Sequence, residues 1–178
     1  MNRLEDLLRN KHLLLDTCVL INFHKYQESP ELKEFFKAIS DSNCALITID
    51  QVYCEFLKYA DDRQEYLDLF EWLGNLVPDV LYPTKEDLYA TNQIYLALKV
   101  KKKNSAEHPS LEDLLLGSML MKWPDKVYLA TVNHKDFPTW FYDRVYLHAF
   151  DDRAGNVSAV GIYQFNVDKY VELIKDFG

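Results

Sequence analysis

Glycine is scarce in this 178-residue chain, five in all, and so are cysteine, at three, and any long apolar run. So few glycines leave no glycine-rich phosphate loop of the kind that opens nucleotide-binding folds. Cys18, Cys44 and Cys54 lie within or beside apolar segments and form no paired framework, so the expected compartment is the reducing cytoplasm. The five histidines, His12, His24, His108, His134 and His148, show no zinc-ligand spacing among themselves or with the cysteines, which argues against a structural zinc. No segment has the length of apolar sequence that a membrane span needs, and Arg3-Leu4-Glu5-Asp6-Leu7-Leu8-Arg9 is charged and amphipathic rather than the core of a secretory signal. Basic residues are outnumbered 20 to 28 by acidic ones, a formal net charge of -8, which opposes a broad phosphate-binding surface.

What the chain does have is enough apolar sequence for a full core. Its hydrophobic share of 48% and aromatic share of 14%, with no linker, low-complexity run or repeat, predict one domain over residues 1–178. Short apolar runs read as strands at His12–Leu15, Ala45–Ile49, Val80–Tyr82 and Val127–Thr131. Helical periodicity falls between them at Glu31–Ile39, Gln51–Ala60, Arg63–Leu73, Lys85–Val100 and Leu111–Met121. Strand followed by helix, repeated, predicts an α/β fold: a mostly parallel central sheet with helices on both faces. Val145–Phe150 and Val157–Phe165 flank the turn-rich Asp151-Asp152-Arg153-Ala154-Gly155-Asn156 and read as a hairpin, followed by an amphipathic helix over Asp168–Phe177. This C-terminal extension, about 151–178, is expected to lengthen the sheet edge or to mediate self-association as a homodimer.

Chemistry is concentrated in a few acids. Asp16 stands where the apolar run Leu13-Leu14-Leu15 ends and a helix carrying Ile21 and Phe23 begins, a position that suits either an N-cap or a metal ligand. In open α/β sheets ligands bind outside the carboxyl ends of strands, and Asp16 is at such an end. The strand Val127–Thr131 runs in the same way into Asn133 and Asp136. Glu55 follows the strand Ala45–Ile49, with Asp50 as the expected cap, and lies on the half-buried flank of an apolar face made by Val52, Phe56 and Ala60; its alternative is a boundary glutamate paired with Lys58. Asp113 occupies the third helical position after Ser110, a capping box, on a helix apolar almost all round. An ionised carboxylate there costs several kcal/mol unless a donor or cation compensates it. Gly117, one turn on, leaves room for something to approach.

In these residues the chain resembles the PIN-domain ribonucleases, and within them the VapC-type toxins of toxin–antitoxin pairs. The matching stretches are Leu13 to Leu20 around Asp16, Val52 to Lys58 with Glu55, Leu111 to Leu120 with Asp113, and Thr131-Val132-Asn133-His134-Lys135-Asp136-Phe137. In order they cover about residues 12–150, the expected core. The resemblance implies a PIN-like three-layer fold in which Asp16, Glu55 and Asp113 bind a divalent metal and the Thr131, Asn133 and Asp136 cluster completes the site. The catalytic set it suggests is Asp16, Glu55, Asp113, Asn133 and Asp136, with Asp136 or Asn133 as the fourth ligand and Thr17 and Thr131 near the substrate. Position 133 is Asn where the family pattern has Asp, and position 132 is Val where a basic residue is common. A leader, Met1 to Lys11, and the tail beyond Phe150 also depart from compact toxins of this kind.

Hard oxygen ligands of this sort select Mg²⁺ or Mn²⁺ over zinc. The activity implied is hydrolysis of RNA phosphodiester bonds by water, leaving 5′-phosphate and 3′-hydroxyl ends, with RNA as substrate and an antitoxin protein as partner. Lys101, Lys102 and Lys103, with Lys99, form the one basic cluster and lie just before the Asp113 helix. They read either as phosphate contacts or as the solvated end of a helix closed by Asn104. Other acid-based enzymes fit less well: a haloacid-dehalogenase-type phosphatase needs a second Asp where Cys18 stands, and nothing assembles a thiol-hydrolase site around Cys18 and His24. The alternative from another class is a PIN-like RNA-binding or protein-interaction module in which the acids only cap helices.

Overall fold

The buried trio Leu13, Leu14 and Leu15 is continuous rather than alternating, as expected of a strand covered on both faces. In the computed structural model, which describes residues 3–101, 109–151 and 157–175, this run is β1 (His12–Leu15), near the middle of a six-stranded sheet. The other strands are β2 (Ala45–Ile49), β3 (Asp79–Leu81), β4 (Val127–Thr131), β5 (Tyr142–Asp151) and β6 (Val157–Phe165). Their spatial order is β3-β2-β1-β4-β6-β5. The first four are mutually parallel, and the last two form an antiparallel hairpin whose inner strand, β6, pairs with β4. The expected α/β fold with a mostly parallel sheet is therefore observed.

Eight helices are described: α1 (Arg3–Leu8), α2 (Thr17–Lys25), α3 (Pro30–Asp41), α4 (Asp50–Leu57), α5 (Arg63–Leu76), α6 (Lys85–Lys101), α7 (Leu111–Lys122) and α8 (Val167–Lys175). The leader is more structured than its charge implied, because Leu4 and Leu8 of α1 are buried against the core beside α3. α7 packs against α6, β4 and β6, and every residue from Leu114 to Leu120 is buried. Asp50 is the first residue of α4 rather than its cap, which is Ile49, and the helix closes at Leu57, short of the expected Ala60.

Residues beyond Phe150 contribute an interior strand. β6 lies between β4 and the edge strand β5, so the hairpin widens the sheet on the β4 side. The turn Asp152 to Asn156, the expected end of the last helix at Phe177, and Asn104 lie outside the described residues. No helix among the described residues is long and apolar enough to cross a membrane.

The strand order creates one topological switch point. From β1 the chain steps outward to β2 and β3, then returns through α6 and α7 to place β4 on the other side of β1. The connections leaving β1 and β4 therefore diverge, opening a crevice at the carboxyl ends of these strands. Asp16 and Thr131 are the residues that sit there.

Candidate functional site at the switch point

Asp16 holds the N-cap position of α2 but does not behave as a cap. Its backbone is extended, and its side chain makes no capping hydrogen bond. Instead Oδ2 accepts from the Thr131 hydroxyl at 2.6 Å and from the Cys18 thiol at 2.8 Å. Thr131 in turn accepts the Asn133 backbone N–H at 2.9 Å, so one hydroxyl joins Asp16 to the turn that presents Asn133 and Asp136. Burial pushes the Asp16 carboxyl above its ordinary range; the Cys18 and Thr131 hydrogen bonds pull it back in part, and the charge of Glu55 adds to the rise.

Glu55 reaches the same place from α4, accepting a hydrogen bond from the Thr17 hydroxyl at the start of α2. The residue is exposed rather than half buried, and its partner is Thr17 rather than Lys58. Thr17 thus orients a carboxylate that would otherwise swing in water.

Asp113 makes the full capping box. Ser110 Oγ accepts from the Asp113 N–H at 3.0 Å, while the carboxylate accepts from the Ser110 hydroxyl at 2.7 Å and the Ser110 N–H at 3.0 Å. Even with these donors its pKa is pushed up to about 6, first by burial and then by the charges of Asp136 and Asp16. The room left by Gly117 is filled by the Tyr142 hydroxyl, which a Cβ on residue 117 would meet at 2.5 Å. Tyr142 is fully buried, and its own pKa is raised by burial and by the Asp113 charge. The approach that Gly117 permits is thus a tyrosine.

Asp136 and Asn133 lie on one short turn, with the Asn133 amide donating to the Asp136 carboxylate. The turn is anchored from below. Phe137 is buried against Tyr142 and Tyr163 at ring distances of 5.4 and 5.9 Å, and His134 Nδ1 lies 2.8 Å from the Tyr163 hydroxyl. A Cβ on Gly161 would fall 2.9 Å from the His134 ring, so this glycine of β6 is what lets the turn settle on the sheet.

These residues converge on one cleft of about 640 Å³, whose walls include Asp16, Thr17, Glu55, Asp113, Asn133 and Asp136. Several further residues there were not assigned to the site by sequence reasoning. Cys18 and Ser110 donate to the acids, while Lys58, Tyr59 and Lys135 line the mouth. For Cys18 a signal existed in its place two residues after Asp16. For Lys135 and Tyr59 nothing but three-dimensional placement identifies them. Burial, followed by the Asp16 charge and hydrogen bond, raises the Cys18 thiol far above its ordinary pKa, so it is a donor and not a nucleophile. Of the basic cluster, Lys101 closes α6, and Lys102 and Lys103 lie outside the described residues.

Among the described residues, no three His, Cys, Asp or Glu side chains are drawn together tightly enough to form a ready metal-ligand set. The acids are held instead by neutral donors from the protein: Asp16 by Thr131 and Cys18, Glu55 by Thr17, Asp113 by Ser110. The donor chemistry, carboxylate and amide oxygens with raised carboxyl pKa values at Asp16 and Asp113, fits a hard divalent cation. No family model and no curated protein matches this chain.

Proposed function

We propose that the chain is a PIN-like, Mg²⁺- or Mn²⁺-dependent endoribonuclease. The observation that carries this reading is the gathering of Asp16, Glu55, Asp113, Asn133 and Asp136, from four separate segments of sequence, around one cleft at the switch point of the sheet. Acids used only as helix caps would have no reason to meet, and the Asp16 side chain makes no capping hydrogen bond.

In this reading Asp16, Glu55 and Asp113 hold the cation, with Asp136 completing the set and Asn133 orienting Asp136. When bound, the cation supplies positive charge that lowers the pKa of attacking water and neutralises charge on the phosphate. The chain's residues provide the rest. Thr131 and Thr17 fix the carboxylate directions, and the walls built on buried β1, β4 and α7 keep those directions rigid. In the metal-free cleft the Asp113 carboxyl is raised to about 6, and a cation held there would favour its ionised form. Lys58 and Lys135 at the mouth give a backbone of phosphates its counter-charges in a chain that is acidic overall.

The test is cleavage of pooled RNA by pure protein with Mg²⁺ or Mn²⁺, followed by end mapping. Asp16→Asn or Asp113→Asn should slow cleavage at least ~100-fold, because a neutral ligand weakens the cation's hold. Wild-type rates in both variants refute the assignment. The toxin role belongs to the same proposal and predicts a small co-encoded protein that binds the chain and blocks the cleft. The binding-module alternative draws its support from the complete capping box at Asp113; it predicts RNA or protein binding unchanged by chelator, and no cleavage.

A further inference from the structure

At the mouth of the cleft Tyr59 follows the last turn of α4 and is 54% exposed. A lone exposed tyrosine needs no explanation. This one separates two concavities. On one side is the acidic cleft, and on the other a recess of about 80 Å³ walled by Ile21, Phe56 and Leu69, with His24, Lys25 and Glu65 at its edge. Ile21 and Tyr59 border both spaces, so the recess opens beside the cleft.

The recess has a firm back wall. Phe56 and Trp72 lie 5.5 Å apart, and the His24 ring stands edge-on to both, at 6.2 and 5.1 Å. His24 makes no hydrogen bond among the described residues, so its ring nitrogens remain available to a polar edge. Two lysines flank the tyrosine. Lys25 Nζ lies over one face of the Tyr59 ring, 6.0 Å from its centre, and Lys58 is exposed on the cleft side. Among the described residues neither forms an ion pair, in a chain with eight more acids than bases.

A flat exposed ring, an apolar slot beside it and unpaired cations on either side are the parts from which single-stranded nucleic acid is held: bases stack on aromatic faces while basic side chains follow the phosphates. We propose that Tyr59 and the adjoining recess form a nucleobase subsite, which holds one unpaired base next to the bond cut in the cleft, with Lys25 and Lys58 on the adjacent phosphates. This rests on the nuclease reading above and adds to it a place where substrate is gripped outside the acidic site. The recess is too small to enclose a base. It takes an edge while the face rests on Tyr59, so the subsite demands an unstacked base and is tolerant of which one. It also gives a physical reason for single-strand access, since a base within a duplex cannot turn its face to Tyr59.

The experiment is binding, in chelator, of a short single-stranded oligoribonucleotide carrying 2-aminopurine, whose fluorescence is quenched on stacking, to the full-length chain. Wild type and Tyr59→Phe should quench the probe and bind alike, whereas Tyr59→Ala should lose the quench and bind about 5- to 100-fold more weakly. An oligonucleotide with an abasic residue at the stacked position should bind wild type and Tyr59→Ala equally. Lys25→Gln with Lys58→Gln should lower the salt dependence of binding while leaving the quench on the bound fraction. Equal quench and affinity in wild type and Tyr59→Ala overturn the subsite and leave the nuclease reading standing, as RNA cleavage by the same preparations would show. Failure of wild type to bind any oligonucleotide overturns the subsite, and the nuclease reading falls with it if the same preparation also fails to cleave RNA with Mg²⁺ or Mn²⁺.

Discussion

Replacing Asp113 by Asn should change how stability depends on pH, and the size of the change follows from the surroundings of the carboxyl. In the folded chain its pKa is raised to about 6 by burial and by Asp136 and Asp16, against 3.8 ordinarily. The folded state therefore binds this proton more tightly than the unfolded state does. Stability is greatest below the unfolded pKa and falls as pH rises through the window from about 4 to about 6, because ionising the group costs more in the folded cleft than in the open chain. The full shift would correspond to ~3 kcal/mol. The cleft is open to water, and screening brings the expected loss down to about 1–2 kcal/mol. For a chain of this length that is roughly 2–8 °C in melting temperature.

Asp113→Asn also weakens the capping box, since an amide cannot accept both Ser110 donors as well as a carboxylate does. That cost is nearly the same at all pH values. The informative quantity is therefore the difference between wild type and variant at pH 7.5 minus the same difference at pH 4.5, in chelator, by thermal melting. It should favour the variant by the amount above, with relief of the repulsion felt by Asp16 and Asp136 included. Added Mn²⁺ should then stabilise wild type at pH 7.5 by ~2.7 kcal/mol at a hundredfold excess over Kd, and much less at pH 4.5, where protons occupy the site. Parallel pH profiles for wild type and Asp113→Asn would refute the reasoning, and a metal response equal at the two pH values would refute its link to a cation.

Gly117→Ala reverses the usual benefit of alanine in a helix. Its Cβ meets the Tyr142 hydroxyl at 2.5 Å in a packed core, so the variant should lose about 1–3 kcal/mol in chemical denaturation, and Gly117→Ala with Tyr142→Phe should regain most of it; a stabilised single variant would show that the tyrosine yields freely. Thr17→Val frees Glu55 from its one described donor and should cut cleavage about 10-fold with little change in melting temperature; unchanged cleavage would remove Thr17 from the site. Changing Lys101, Lys102 and Lys103 together to Gln should flatten the salt dependence of RNA binding by about 0.7 per phosphate contact if they touch RNA, and leave it unchanged if they do not.

Local pattern alone determined most of the layout. Leu13 to Leu15 and Val127 to Thr131 read as buried parallel strands because strands covered on both faces need continuous apolar sequence. Ser110 and Asp113 announced a capping box, which is a contact between residues three apart and needs no tertiary information. The acids themselves, Asp16, Glu55, Asp113 and Asp136, could be named because carboxylates at strand ends and helix starts stand out against apolar neighbours.

Only the tertiary structure decided what each of them touches. That the Asp16 side chain takes a hydrogen bond from Thr131 instead of capping its helix depends on β4 lying beside β1, a pairing of segments more than a hundred residues apart. That Gly117 makes way for Tyr142, and that β6 slips between β4 and β5, depends on the hairpin folding back over α7, which no periodicity encodes. Tyr59 gave no signal as a site residue and Lys58 only one as a pairing partner for Glu55, since an exposed tyrosine and lysine after a helix look alike wherever they occur. Periodicity reports which face of an element is buried; which faces meet is set by the order of strands in the sheet and the helices packed on it, and here that arrangement brings the acids to one cleft.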